Sequence, residues 1–334
     1  MCGTELEVPL VTSQSTPTTT KASLLVTGRK PGIANIDLGS VTPLPGLSLD
    51  VDSYVSQIVA GSDSTYYSLV RSCQNRAVGT AVRTTDGSGE EELANDADFY
   101  GLLSDGQGGV WGERHLSRPE AAISSTLVRL DRPGKAITLP ISLNPIGLYR
   151  DQLIATGDPL RDTPTQSPLY LFDLTTRKYR LIGNSFSVTV SGHRALWNST
   201  ACSDTGPCRL HTFDLARGTT TERNYYLPME SNFNGAVLSP DGVQLAYGLA
   251  QETQDRNYRS ASSNGTPTNL VVLDLQTGNV DPIPNLELAP GSTPAELSFT
   301  PDGRTLLIGL DADGGTMLLS WESGLTKPVL SHAD

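Results

Sequence analysis

The chain has 334 residues, of which 37% are hydrophobic, and its formal net charge at pH 7 is −12. This acidic balance argues against binding to nucleic acid or to an anionic membrane surface, because both need a basic footprint. No apolar run approaches the roughly 18 residues that a membrane-spanning helix needs. Glycine and proline are abundant, at 32 and 22 residues, and no long stretch has helical periodicity. The composition therefore predicts a water-soluble all-β protein with many turns.

The N-terminal segment has the composition of a tether. Residues 12–20 are almost entirely Ser, Thr, Gln and Pro, which is typical of a flexible linker. No charged and apolar leader precedes them in this sequence. The start Met1-Cys2-Gly3 resembles the mature start of bacterial lipoproteins, and this resemblance implies a lipid anchor on Cys2. The alternatives are a Cys2–Cys73 disulfide or two free thiols. We predict a tether over residues 1–21, in which residues 5–11 are a candidate closing strand, and one domain over 22–334.

Strand–turn–strand units then recur along the chain, each with an acidic residue where a strand ends. These residues are Asp37, Asp86, Asp131, Asp173, Asp214, Asp274 and Glu322. Their successive spacings are 49, 45, 42, 41, 60 and 48 residues. A period in the forties is that of a four-stranded propeller blade. A carboxylate at a strand end can accept hydrogen bonds from the amides of the following turn.

The recurrence predicts a seven-bladed β-propeller. Its blades are expected over residues 23–45, 55–94, 98–140, 145–183, 185–227, 234–285 and 294–331, the first with only three strands. The alternatives are a six-bladed ring with an extra hairpin, and a β-sandwich in which the hairpins recur by coincidence.

Two blades carry a more specific motif. Ser239-Pro-Asp-Gly242 and Thr300-Pro-Asp-Gly303 each join two apolar strands through a well-defined tight turn. These segments resemble the WD40-like (PD40) repeat of TolB-type β-propellers. In the third unit Asp105-Gly-Gln-Gly-Gly109 replaces the motif, and the likeness is weaker there. The resemblance implies a binding function, since TolB-type domains dock protein partners around the ring.

Loop lengths divide the two faces of the predicted ring. The turns between first and second strands and between third and fourth strands are tight and share one face, the tight-turn face. The second-to-third connections, such as residues 158–168 and 251–267, are long and share the opposite face, the long-loop face. Long loops on a rigid scaffold usually carry binding sites. The predicted partner-binding residues are Trp111, Arg114, His115, Arg161, Asp255, Arg256, Tyr258 and Arg259. Packing between blades explains the alternation over residues 110–115 equally well.

The cysteines and carboxylates indicate a compartment but no metal. Cys202 and Cys208 flank a short Gly/Pro turn suited to a local disulfide, which implies an oxidising, extracytoplasmic location. No histidines pair at metal-ligand spacing. Asp311 and Asp313 resemble part of a calcium loop. Thr316 stands where that loop needs glycine, so a plain hairpin turn is favoured. We expect no metal and no cofactor.

The favoured function is non-catalytic: a secreted or lipid-tethered monomer whose long-loop face binds a protein, peptide or glycan at the cell envelope. The alternative is a propeller enzyme, a hydrolase or lyase with acidic residues near the central channel. No Gly-x-Ser-x-Gly motif is present, and no catalytic residue is predicted. A deep pocket in which carboxylates or a His–carboxylate pair converge with perturbed pKa values would indicate the enzyme.

The longest loop provides a direct test of the face assignment. We expect deletion of residues 255–267 to leave the melting temperature nearly unchanged, because a loop on a rigid sheet adds little to the core. The same deletion should weaken partner capture from native cell envelopes. Thermal unfolding and affinity capture measure the two effects. A large loss of stability would show that the insertion is part of the fold.

Overall fold

The computed structural model describes residues 23–26, 32–35, 40–43, 53–60, 62, 64–73, 76–85, 89–94, 99–116, 124–132, 134–139, 143–158, 166–199, 206–227, 231–250, 268–287, 294–300, 302–312, 315–322 and 329–333. Before residue 101, side chains are described only at positions 59, 62, 66 and 68.

All of the regular elements in the described part are β-strands. They are β1 (Ser23–Val26), β2 (Gly32–Asn35), β3 (Ser40–Pro43), β4 (Ser53–Ala60), β5 (Ser64–Cys73), β6 (Arg76–Thr85), β7 (Gly89–Ala94), β8 (Phe99–Ser104), β9 (Val110–Leu116), β10 (Ser124–Arg129), β11 (Ala136–Thr138), β12 (Asn144–Tyr149), β13 (Gln152–Thr156), β14 (Ser167–Asp173), β15 (Tyr179–Ser185), β16 (Ser187–Ser191), β17 (Arg194–Asn198), β18 (Cys208–Asp214), β19 (Thr219–Tyr225), β20 (Ser231–Leu238), β21 (Gln244–Ala250), β22 (Thr268–Asp274), β23 (Val280–Glu287), β24 (Pro294–Phe299), β25 (Thr305–Ala312), β26 (Gly315–Glu322) and β27 (Val329–Ala333).

Within the described residues these strands form seven antiparallel sheets, numbered here in chain order. Sheet 1 (β1–β3) has three strands, and sheets 2 (β4–β7), 3 (β8–β11), 4 (β12–β15), 5 (β16–β19), 6 (β20–β23) and 7 (β24–β27) have four each. Every sheet is a meander, in which consecutive strands are neighbours. The prediction of an all-β chain built from four-stranded units is confirmed, and the first unit has the expected three strands.

The sheets are arranged side by side through their first strands. β4 contacts β8, β8 contacts β12, β12 contacts β16, β16 contacts β20, β20 contacts β24, and β24 contacts β1. On the outer side, β27 lies beside β3. This radial order is that of propeller blades. Closure of the ring between sheets 1 and 2, and seven blades rather than six, remain predictions.

Hydroxyl groups connect the first strands of sheets 5 and 6. Thr189 Oγ1 donates to the carbonyl oxygen of Ala236 at 2.6 Å, and Ser191 Oγ donates to that of Leu238 at 3.1 Å. The two partners are 47 residues apart in both cases. Both bonds therefore fix the same register between neighbouring sheets.

The core lies between the sheets rather than in one central mass. Between sheets 5 and 6 it contains Leu196, Leu210, Leu245, Tyr247 and Leu273, all at most 2% exposed. The second and third strands of a sheet are buried on both faces, as in β13, where three consecutive residues are buried. Such strands show short apolar runs instead of strict alternation because a neighbouring sheet covers each face.

The recurring aspartate forms the tight turn that follows the third strand. Asp274 Oδ1 accepts hydrogen bonds from the backbone N–H groups of Gln276 and Thr277, at 2.7 and 2.9 Å. The N–H of Leu275 donates to the carbonyl oxygen of Val243, in the turn between the first two strands, at 2.7 Å. Asp173-Leu174 and Asp214-Leu215 repeat both contacts in sheets 4 and 5. The Asp-Leu pair thus joins the two tight turns of one sheet, and the predicted turn-forming role is confirmed for these three sheets.

The first turn of sheet 3 uses an aspartate in a related way. Asp105 Oδ1 accepts from the backbone N–H groups of Gln107 and Gly109, both at 2.8 Å. A Cβ atom on Gly109 would lie 2.1 Å from Asp105 Oδ2, so only glycine fits. This explains how Asp105-Gly-Gln-Gly-Gly109 can replace the Pro-Asp-Gly turn of sheets 6 and 7.

We expect Asp274→Ala to lower the free energy of unfolding by roughly 1.5–3 kcal/mol at pH 7, the usual contribution of a hydrogen bond to a charged group. Asp281→Ala is the matched control, because Asp281 is exposed on β23 and its removal changes the net charge equally. Denaturant unfolding of both variants measures the difference, which should be within about 0.5 kcal/mol of wild type for the control.

The same pair of variants tests how the stabilisation by Asp274 depends on pH. The backbone N–H of Thr277 is the main cause that lowers the pKa of Asp274 from its usual 3.8. A carboxylate with a depressed folded-state pKa stabilises the protein above the unfolded-state pKa, and this contribution is lost as the pH falls through the folded-state pKa. The difference between wild type and Asp274→Ala should therefore shrink below about pH 4. A difference that stays constant down to pH 2 would contradict the turn-amide account.

Candidate binding cleft between sheets 5 and 6

A cleft of about 310 Å³ opens between sheets 5 and 6 on the tight-turn face. One wall is formed by alternate residues of β19, namely Thr219, Thr221, Arg223 and Tyr225. The other wall is formed by two turns of sheet 6, at residues 241–243 and 275–276. The cleft therefore lies opposite the long-loop face on which the partner site was predicted.

The cleft exists because one face of sheet 5 changes from apolar to polar along its length. In the β18–β19 ladder Cys208 pairs with Tyr225, Leu210 with Arg223, and Thr212 with Thr221. Paired residues point to the same face of a sheet, here the face towards sheet 6. Leu210 and Tyr225 pack into the core, whereas the threonines near the turn leave space. The result is an apolar floor with a polar rim.

Three arginines, Arg194, Arg217 and Arg223, line this cleft. Arg223 Nη1 donates to the carbonyl oxygens of Leu275 and Gln276, at 2.7 and 3.2 Å. Arg194 Nη1 donates to the carbonyl oxygen of Asp241. In the described part of the chain, neither Arg194 nor Arg223 forms an ion pair with a carboxylate. Both guanidinium groups are thus held in place by backbone carbonyl oxygens rather than by carboxylates.

The two carboxylates of the cleft are already occupied. Asp214 Oδ1 accepts from the N–H groups of Ala216 and Arg217, at 2.9 and 3.0 Å. Asp241 Oδ1 accepts from the Ser239 hydroxyl and from the N–H of Val243. Arg217, whose side chain is 80% exposed, is 3.9 Å from Asp214 Oδ2 through its Nε. The guanidinium groups of the lining can donate to a ligand, which suits a carboxylate, phosphate or sulfate group.

Tyr225 closes the floor of the cleft. The residue is 7% exposed, and its hydroxyl donates to the carbonyl oxygen of Leu275 at 2.7 Å. Burial raises the pKa of Tyr225, with the charge of Arg223 opposing the shift. The phenol therefore remains neutral at physiological pH and cannot add negative charge to the cleft.

The cleft is elongated along β19. The wall residues run from Thr219 to Tyr225 along β19, and at about 3.3 Å per residue they span about 20 Å. The outer edge of β19 has no paired strand within the described residues. The shape suits an extended chain better than a compact ligand.

Trp111, predicted to anchor a partner, lies in the core. It is fully buried and packs with Leu127 and Phe172 between sheets 3 and 4. Arg129 and Lys135 lie over its ring, 5.4 and 5.2 Å from the centroid. Trp111 therefore offers no surface to a partner, and packing between sheets, the alternative explanation of residues 110–115, applies to it.

The side chains of most other predicted site residues lie outside the described part of the chain. Arg114 and His115 lie on β9, where their backbones pair with Thr126 and Ser125, but their side chains are outside the described residues. Cys2, Arg161, Cys202, Asp255, Arg256, Tyr258, Arg259 and Asp313 lie outside as well, so their roles remain predictions. Asp311 pairs with Thr316 in the β25–β26 ladder, which continues to Ala312 and Gly315. That pairing favours a hairpin turn over a calcium loop.

Cys208 is fully buried at the start of β18 and is disulfide-bonded. Its pairing with Cys202 remains a prediction. Within the described ranges, His, Cys, Asp and Glu residues nowhere gather in a group of three that could hold a metal ion. The described residues also contain no helix long and apolar enough to cross a bilayer.

The sequence prediction did not include Arg194, Arg217 or Arg223, because it placed the binding site on the face with the long loops. A signal was present in β19, whose residues Thr219-Thr-Thr-Glu-Arg-Asn-Tyr225 show no apolar alternation before the tyrosine. A fourth strand that packs against a neighbouring sheet along its whole length would place apolar residues at every second position. The polar face of β19 thus indicated an open edge at the tight turns.

Comparison with known proteins identifies the fold. No protein-family model matches the sequence, and no curated protein matches it. The β-propeller domain of the Trilobed protease from Pyrococcus furiosus is similar, with a TM-score of 0.54, 14% identity and 85% of each chain covered. A prolyl endopeptidase structure gives a TM-score of 0.60 at 10% identity, covering 93% of this chain and 49% of that one. TolB from Acinetobacter baumannii gives 0.43 at 12% identity, covering 93% and 82%.

The chain is thus a β-propeller, as the similarity to the Trilobed protease propeller and to the prolyl endopeptidase structure shows. It spans about half the length of the prolyl endopeptidase that it matches. At these identities the similarity establishes the fold alone.

Substitution of Gly242 tests whether the Arg194 side chain fills the space beside this turn. Gly242 has a φ of +68°, and a Cβ atom there would lie 1.5 Å from Arg194 Nη1. Gly218 is the matched control, with a φ of +70° and nothing within 4 Å of the added atom. We expect Gly218→Ala to cost about 1–2 kcal/mol from the left-handed backbone alone. Gly242→Ala should cost more, because Arg194 must also move. Equal losses in denaturant unfolding would show that Arg194 does not occupy this position.

Proposed function

We propose that this β-propeller is a binding module that captures an acidic, extended segment of a protein partner in the cleft between sheets 5 and 6. One observation carries the proposal: three arginines surround a cleft whose two carboxylates are already bonded to their own turns. No reaction is required at this cleft.

The arginines suit carboxylate recognition. A guanidinium group presents a planar set of donors that matches a carboxylate in a bidentate arrangement, and charge-assisted bonds of this kind are the stronger ones. Arg194 and Arg223 are each held by backbone carbonyls through Nη1. Their orientation is therefore largely fixed before a ligand arrives, which reduces the entropy lost on binding.

The shape of the cleft supports a peptide rather than a compact ligand. It follows β19, whose outer edge is unpaired in the described part of the chain. An extended peptide can add to such an edge through its main chain while its side chains enter neighbouring pockets. Acidic side chains at alternate positions would then face Arg223 and the threonines of β19.

The long-loop face remains a second proposed contact surface. Arg114, His115, Arg161, Asp255, Arg256, Tyr258 and Arg259 are its proposed residues. Ligands of that face would be a protein, peptide or glycan, as the loop lengths alone suggest.

We also propose an extracytoplasmic location with a lipid anchor on Cys2. The disulfide-bonded state of Cys208 supports an oxidising compartment, because such bonds persist mainly outside the cytosol. We expect the protein to act as a monomer.

A labelled ten-residue polyglutamate peptide tests the cleft, with polyglutamine as the uncharged comparison. We expect the polyglutamate peptide to bind more tightly, and expect Arg223→Ala or Arg217→Ala to weaken it roughly tenfold each, equivalent to about 1.4 kcal/mol per lost charge-assisted contact. Fluorescence anisotropy gives the dissociation constants. Arg304→Ala is the control, since Arg304 lies exposed after the Pro-Asp-Gly turn of sheet 7.

Three outcomes would overturn the proposal. The folded protein could fail to bind polyglutamate, or Arg304→Ala could weaken binding as much as Arg223→Ala, which would indicate a diffuse charge effect. Alternatively, a sulfated oligosaccharide could bind through the same arginines while polyglutamate does not, which would make the partner a glycan.

A further inference from the structure

A second polar cluster lies on the other face of sheet 5, towards sheet 4. His211 Nε2 is 2.8 Å from Ser199 Oγ, and His211 Nδ1 is 3.6 Å from Glu222 Oε2. A hydroxyl, an imidazole and a carboxylate are thus in line, with the imidazole between the other two. A His–carboxylate pair beside a hydroxyl also occurs at catalytic sites, so this cluster is a candidate for chemistry that a binding module does not need.

Three adjacent strands position the cluster. In the ladders His211 of β18 lies opposite Trp197 of β17 on one side and opposite Glu222 of β19 on the other. Ser199 follows directly after β17. The imidazole stacks on the Trp197 ring, with centroids 5.0 Å apart and planes at 11°. Stacking and the two end contacts leave His211 little freedom to rotate.

We propose that Ser199 is an activated nucleophile that takes acyl groups from activated esters, with His211 as general base and Glu222 as the residue that orients it. Serine hydrolases on unrelated folds use a hydroxyl, an imidazole and a carboxylate in the same order as nucleophile, base and orienting acid. Here Glu222 also pairs with Arg209 at 3.2 Å, which holds its carboxylate beside the ring. This activity goes beyond the proposed binding function and does not depend on it.

The reaction balances with groups that the chain itself supplies. Ser199 Oγ attacks the ester carbonyl carbon while its proton passes to His211 Nε2. The bond to the leaving alcohol or phenol then breaks, and the leaving group takes that proton. Water repeats the sequence on the acylated serine, which releases the carboxylic acid and restores the hydroxyl.

The protonation state of His211 suits a base. Burial lowers the pKa of His211 from its usual 6.5, Glu222 opposes this shift, and Arg209 adds to it. Glu222 and Arg209 are the charged groups that act on the ring from the strands around it. The imidazole is therefore neutral at pH 7, and in its Nδ1–H tautomer the Nε2 atom accepts a proton from the Ser199 hydroxyl.

The surroundings of Ser199 limit the substrate class. Its backbone N–H donates to the carbonyl oxygen of Arg209 at 3.1 Å and so cannot stabilise an oxyanion. Gln166 lies close by, with Nε2 donating to the Ser199 carbonyl oxygen at 3.3 Å, and its second N–H is a candidate donor. Loss of one oxyanion donor typically costs about 100- to 1,000-fold in rate. Aryl esters, which have good leaving groups, are thus the expected substrates, and amides are not.

A fluorophosphonate probe tests the serine on the full chain. Ser199 Oγ would form a bond to phosphorus, fluoride would leave, and the proton would pass through His211. We expect intact-mass spectrometry to show one added probe, peptide mapping to place it on Ser199, and Ser199→Ala to abolish it. Ser191→Ala is the control, because the Ser191 hydroxyl bonds to the backbone of a neighbouring strand. This variant should be labelled to the same extent as the wild-type protein.

The rate and the pH dependence of labelling distinguish an orienting role of Glu222 from a purely structural one. Glu222 is about half exposed, so we expect Glu222→Gln to slow labelling roughly tenfold, less than the ~100-fold or more that a general base contributes. Labelling of wild type should rise with pH around a midpoint below 6.5. Glu222→Gln should move that midpoint lower, because Glu222 raises the pKa of His211.

The proposal is overturned if the folded wild-type protein is not labelled, or if the label lies on another residue. It is also overturned if Ser199→Ala keeps the label, or if the labelling rate is independent of pH. Any of these results would make the three side chains a structural cluster that holds the ends of β17, β18 and β19 together.

Discussion

The structure depends on the aspartate that ends the third strand of a sheet. Asp274 holds the N–H groups of its own turn, and Leu275 next to it bonds to the other tight turn of the same sheet. Two turns that are remote in sequence are thus joined at one end of the sheet. The carbonyl oxygens of residues 275 and 276 are held there, and these are the groups that orient Arg223. The position of the guanidinium group in the cleft is therefore a consequence of the turn.

Contacts between neighbouring sheets follow the same repeat. Thr189, Ser191 and Arg194 each donate to the carbonyl oxygen of a residue 47 positions later in the chain. The first two bonds are short contacts inside the stack of sheets, where strands lie close. At the third position both partners, Arg194 and Asp241, line the cleft, and a long guanidinium side chain replaces a hydroxyl. The cleft is thus the open end of an otherwise regular interface.

The sequence was sufficient for the features that are local. The Asp-Leu pairs and the Pro-Asp-Gly turns depend on a few consecutive residues, and their strands were predicted close to where they lie. The pairing of His211 with Glu222 could also have been predicted, because the tight turn from Asp214 to Thr219 places residues equally far from it opposite each other. Ser199 could not have been placed, since the connection between β17 and β18 is long and does not fix a register. The burial of Trp111 likewise depends on a neighbouring sheet that the alternation along β9 does not reveal.

The two clusters of sheet 5 have different chemistry because successive residues of a strand point to opposite faces. On β19, Thr221 and Arg223 face sheet 6, whereas Glu222 pairs with His211 on the face towards sheet 4. A slip of one residue in the β18–β19 register would bring Arg223 to the imidazole and Glu222 to the cleft. The Asp214 turn prevents that slip, because its side chain holds the N–H groups of Ala216 and Arg217. One turn aspartate therefore keeps the arginine in the anion-binding cleft and the carboxylate beside the histidine.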